Sequence, residues 1–147
     1  MTVMPDLVDQ LIGKPGLYLG SQTDPSGGQQ NANSVAHIVV TALPGGSGVT
    51  FDYDVVAADG RHHTEHTVLG RTAHGLTLVT AHSHGDVVTV IPESEPGYFV
   101  AGEGDSPFPM AIRIEVPEPG HIIYSWSYAR PGEELRVADV GDLRLLP

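Results

Sequence analysis

The feature that most constrains this chain is how closely turn signals follow one another along it. After residue 20, stretches such as Asp24-Pro-Ser-Gly-Gly28, Pro44-Gly-Gly-Ser-Gly48, Asp59-Gly60, His74-Gly75, Glu95-Pro-Gly97, Glu118-Pro-Gly120 and Pro131-Gly132 recur at short, even intervals. Glycine supplies positive φ and proline presets the first turn position, so each stretch ends an extended segment rather than a long helix. About ten strand-like runs lie between them, the pattern of an all-β sheet built from consecutive hairpins.

The runs alternate. Val49, Phe51, Tyr53 and Val55 share one face, with Thr50, Asp52 and Asp54 opposite. Met110, Ile112 and Ile114 oppose Ala111, Arg113 and Glu115, and Ile122, Tyr124, Trp126 and Tyr128 oppose His121, Ile123, Ser125 and Ser127. One apolar and aromatic face per strand calls for an antiparallel sheet with one buried side, and a meander of such strands removes its edges by closing. The expected fold is therefore all-β: an antiparallel up-and-down β-barrel of about ten strands, calycin- or lipocalin-like, forming one domain over 1–147. The one helix candidate is Met4 to Ile12, where Leu7, Val8, Leu11 and Ile12 recur at helical spacing before Gly13-Lys-Pro-Gly16. Too short to be stable alone, it is expected to pack as a lid or plug. Alternation leaves open whether the interior is packed or holds a cavity.

Composition excludes several functions. With 18 acidic against 7 basic residues, the formal charge of −11 repels nucleic-acid backbones. The single lysine, Lys14, argues against Schiff-base or phosphate-loop chemistry. Lack of cysteine removes thiolate nucleophiles and fits a cytoplasmic location. No run approaches the roughly 18 apolar residues of a membrane span, and the N-terminus lacks the pattern of a signal peptide. No nucleophile motif is present, so no catalytic residue is assigned.

Six of the eight histidines fall between Arg61 and Gly85. On a strand, His62, Thr64, His66 and Val68 share one face, and His63, Glu65, Thr67 and Leu69 the other. Imidazole is a common metal ligand, so a cupin-like metalloenzyme using His62 to His84 is one reading. Against it, the spacing differs from a cupin pair and HExxH is absent. The plainer reading makes most of these histidines solvent-facing, with one or two buried and hydrogen-bonded.

Taken in order, the motifs resemble the nitrobindin family, a fatty-acid-binding-protein-like group of calycin barrels. Leu11-Ile-Gly13 before Tyr18-x-Gly20 is similar to the opening signature, with tyrosine in place of tryptophan and Gln22 in place of the last glycine. His63-Thr-Glu65, Arg71, Gly75 and Ala81-His82-Ser-His84-Gly85 resemble the middle motif. Ile123-Tyr124 through Tyr128-Ala129 and Leu143-Arg144 resemble the closing strands. The resemblance implies a barrel that holds heme b at one mouth through a histidine near the C-terminus, where ferric heme binds nitric oxide and isomerises peroxynitrite. That histidine falls at Ala138 here, and no histidine follows His121. The expectation is thus a heme-free, nitrobindin-like barrel, not an enzyme, that binds a small apolar or amphipathic molecule. The candidate ligand-binding residues are Tyr18, His63, His82, Arg113 and Trp126. Heme b held by another residue, His121 being the candidate, is the alternative. No nucleic acid or membrane is expected as a partner, and a homodimer stays open.

Overall fold

In the computed structural model, the described residues are 5–23, 34–57, 60, 62–83, 88–101, 109–130 and 132–147. A short helix, α1 (Leu7–Ile12), leads into ten strands: β1 (Gly16–Thr23), β2 (Ser34–Ala42), β3 (Gly48–Val56), β4 (His62–Thr72), β5 (Gly75–His82), β6 (Thr89–Glu95), β7 (Tyr98–Val100), β8 (Met110–Glu115), β9 (His121–Tyr128) and β10 (Arg136–Leu145). Each strand pairs antiparallel with its neighbours in sequence, and β1 pairs with β10, from Tyr18↔Leu145 to Thr23↔Val140. The sheet is a closed, up-and-down barrel, consistent with a calycin-like fold. Closure gives every described strand a partner on both sides, which an antiparallel sheet with one apolar face needs in water.

Because side chains alternate, the apolar face of each strand becomes the interior. Ile38 and Val40 from β2, Val49 and Phe51 from β3, Leu69 from β4, Leu78 from β5, Ile112 and Ile114 from β8, and Ile122 from β9 are buried there. Two glycines serve the geometry directly. Gly97, between β6 and β7, has φ +75°, and a Cβ on it would lie 2.5 Å from the Ile114 carbonyl oxygen. Gly141 in β10 makes room for an aromatic tip, since a Cβ there would stand 2.8 Å from the Tyr53 hydroxyl.

The helix closes one end of the barrel. It begins at Leu7, later than the sequence suggested, because Asp6 is extended and caps it: Asp9 N–H donates to Asp6 Oδ1 at 2.8 Å, and Asp6 N–H to Asp9 Oδ2 at 3.3 Å. Met4 lies outside the described residues. Leu7, Val8 and Leu11 are buried against β2, β3 and β4. Arg71, at the end of β4, ties the cap down by donating to Asp6 Oδ1 at 3.0 Å, to Asp9 Oδ1 at 2.6 Å and to the Gly46 carbonyl. Six residues cannot hold a helix in water, so these contacts with the barrel stabilise it. No described helix is long and apolar enough to cross a membrane.

Candidate ligand-binding site

The end of the barrel opposite α1 differs in chemistry. There β3, β4, β5, β9 and β10 turn Tyr53, His63, Glu65, His82, Tyr124, Trp126, Tyr128 and Asp139 toward the interior. Asp139 is assigned there by register: it is the cross-strand partner of Trp126, and Gly141 that of Tyr124, and such partners share a face.

At the centre is the fully buried carboxylate of Glu65. His63 Nε2 lies 3.0 Å from its Oε1, and the Tyr124 hydroxyl donates to Oε2 at 3.2 Å. A buried carboxylate needs such donors, since an uncompensated one carries a large desolvation penalty. Burial raises the Glu65 pKa above the ordinary carboxyl value, while the His63 and Tyr124 hydrogen bonds pull the other way. Tyr53 stacks on Tyr124, ring centroids 5.2 Å apart, and donates its hydroxyl to Gln22 Oε1. Below them the Thr67 hydroxyl donates to that of Thr80 at 2.9 Å across β4 and β5.

Nearer the rim, Trp126 stands edge-on to His63 (6.4 Å) and His82 (5.7 Å), and lies against Tyr128 (5.7 Å). The His63 and His82 rings are 6.3 Å apart. The Tyr53, Tyr124 and Tyr128 pKa values are all raised. Burial is the leading cause in each, with the Glu65 charge adding to all three and the Asp139 charge to Tyr53 and Tyr128.

Among the described residues, two buried side-chain polar atoms have no hydrogen-bond partner: Trp126 Nε1 and Ser34 Oγ. Both belong to this end. Ser34 opens β2 opposite Gln22, which is in turn opposite Gly141. An unpaired buried donor costs about 1–3 kcal/mol, and native proteins rarely tolerate one without a further partner.

The structure brings three of the five sequence-named residues together: His63, His82 and Trp126. Tyr18 is at the α1 end, where its buried hydroxyl donates to the Lys14 carbonyl at 2.6 Å. Arg113 is on the outer face of β8, over the Tyr98 ring at 4.3 Å and 3.3 Å from Glu95 Oε1. Sequence reasoning missed Asp139 and did not name Glu65 among the ligand-binding candidates. Counting back by twos from buried Leu143 through Gly141 reaches Asp139, which is the signal that could have found it.

Of the histidine-rich stretch, His63 and His82 are the two that come together among the described residues. His62 and His66 sit on the outside, paired with Asp54 and Asp52, and His74 is exposed in the β4–β5 turn. His84 lies outside the described residues. Among the described residues, no group of three or more His, Asp or Glu side chains has metal-holding geometry.

Neither the position that the nitrobindin resemblance marks for iron, Ala138, nor the alternative candidate His121 fits an axial ligand at this mouth. Ala138 occupies the irregularity in β10 where the register shifts between Val137 and Asp139, and its methyl group has no lone pair. His121 is on the outer face at the α1 end, with Nε2 2.7 Å from Asp142 Oδ1. The chain matches no protein-family model and no curated protein sequence.

Proposed function

We propose that this chain is a heme-free, nitrobindin-like barrel that binds a small apolar or amphipathic molecule at the end opposite α1. The observation that carries the reading is the placement of both unpartnered buried atoms, Trp126 Nε1 and Ser34 Oγ, at that end. They adjoin aromatic walls and a few fixed polar groups. Small-molecule sites generally combine these two elements: apolar surface for affinity and sparse polar atoms for orientation.

Trp126 is the only tryptophan, so its emission reports on this site alone. Protein purified under native conditions should release a stoichiometric small molecule on solvent extraction. Trp126 emission should change when that molecule is removed and return when it is restored. A high-resolution structure in which water alone bonds Trp126 Nε1 and Ser34 Oγ, with no co-purifying molecule, would overturn the reading. A stoichiometric Soret band on adding hemin, lost in His63→Ala, His82→Ala or His121→Ala, would overturn its heme-free part.

A further inference from the structure

The outer wall of the barrel carries an apolar patch apart from the interior site. Leu17 and Leu19 on β1, Val35 on β2, Val56 on β3 and Leu146 after β10 are each 41% to 56% exposed. They are five of the eight large aliphatic side chains exposed among the described residues, and they cluster on adjoining strands. Leu17 is opposite half-buried Val39, and Val35 is opposite Val56. Monomers rarely leave a continuous apolar patch of more than roughly a few hundred Å² uncovered.

The register adds charge to this pattern. One cross-strand row runs Arg144, Leu19, His37, Asp54 over β10, β1, β2 and β3. All four side chains are on the outer face, since they alternate with the buried Leu143, Tyr18, Ile38 and Tyr53. The guanidinium and the carboxylate therefore flank the line between β1 and β2 at equal distances. A twofold axis along that line lays Arg144 of one copy on Asp54 of the other, twice, and Leu17 on Val39. A twofold across the strands would instead set each charge against its own kind. Both groups are within reach. Asp54 lines an open groove of about 510 Å³ with His37, Asp52, Thr64 and His66. It already pairs with His37 and His62, and a carboxylate takes further donors. Arg144 is exposed and held by exposed Glu118 at 2.7 Å, a pair of the kind that contributes little, so the guanidinium can turn to a partner.

We propose that this chain forms a twofold homodimer through the outer face of β1 and β2, with two reciprocal Arg144–Asp54 pairs flanking an aliphatic centre. A second copy is the occupant that the row fits, because the patch is complementary to itself. The interface is outside the barrel, so the proposal is independent of the interior binding reading.

Sedimentation velocity of the full chain tests it. Wild type should be dimeric at about 100 µM, a range in which a modest interface associates. Leu19→Glu should be monomeric, whereas Val90→Glu, exposed on the outer face of β6, should dimerise like wild type. Arg144→Glu and Asp54→Arg should each weaken association about tenfold or more, since each sets like charges opposite one another. The double variant restores both pairs with reversed sign and should return to within about threefold of wild type. Circular dichroism and Trp126 emission check the fold of each variant. A wild-type monomer at that concentration would overturn the proposal, even if another protein or a lipid vesicle bound the patch. So would a dimer that survives Leu19→Glu, single charge reversals without effect, or reversals that the double variant does not rescue.

Discussion

The two ends of the barrel solve opposite problems with the same sheet. At the α1 end, Leu7, Val8 and Leu11 lie on the aliphatic interior, and the polar groups that come inside are bonded, as the Tyr18 hydroxyl is to Lys14. At the other end the interior carries two carboxylates, two imidazoles, three phenols and an indole, and among the described residues two buried polar atoms there lack partners. The first arrangement maximises apolar burial; the second gives up burial for directional groups. Real proteins break the rules of core packing mainly where a site requires it. The contrast predicts that substitutions at the α1 end chiefly change stability, and that those at the far end chiefly change binding.

The largest effect should come from Leu11→Ala. Leu11 is almost fully buried beneath the barrel floor, so its loss removes apolar area and leaves a cavity. A destabilisation of about 2–5 kcal/mol in urea unfolding is expected, with the Trp126 response to ligand intact once the protein is folded. A loss under about 1 kcal/mol would mean that the helix is an ornament rather than a plug. Tyr124→Phe comes next: it removes one of two donors to buried Glu65 and should cost about 1–3 kcal/mol. Unlike Leu11→Ala, it should also shift Trp126 emission, because the Glu65–His63 pair loses its anchor on the phenol and moves against the neighbouring indole.

Arg71→Ala tests how the plug is held. Its contacts to Asp6 and Asp9 are partly exposed and screened by water, so the global cost should be about 1 kcal/mol or less. Hydrogen exchange is the better gauge. The α1 amides should exchange faster while the strand amides keep their protection, since a local opening need not involve the sheet.

The difference between the ends also explains what could be read from the chain. The barrel was legible because a two-residue period and frequent turns are local signals, and closure follows from their consistency. The α1 end was legible for the same reason. The site was only partly so. On β4, His63, Glu65, Thr67 and Leu69 share a face as polar as the opposite one, so alternation could not say which was interior; pairing of Glu65 with Tyr53 and His82 decides it. Asp139 was hidden by the β10 irregularity, one residue from the alanine to which the family resemblance pointed. Arg113 and Tyr18 were singled out by residue type, which carries no information about face or end.

Glu65→Gln gives the smallest effect and the sharpest contrast. Burial lifts the Glu65 pKa in the folded state, so at low pH the carboxyl is neutral in both states and its contribution to stability is full. As pH rises past the ordinary carboxyl value, the unfolded chain ionises first, and the folded state holds the extra proton. Stability therefore falls with rising pH until the folded carboxyl ionises too, after which the loss is constant. The glutamine of the variant does not titrate. The difference in unfolding free energy, wild type minus variant, should begin to decline near the ordinary carboxyl value, about pH 4, and level off once the folded carboxyl has ionised. A difference that rises with pH would mean that the His63 and Tyr124 hydrogen bonds outweigh burial. That result would make the far end a stabilising ionic network, and its claim to be the strained, ligand-ready end of the barrel would fail.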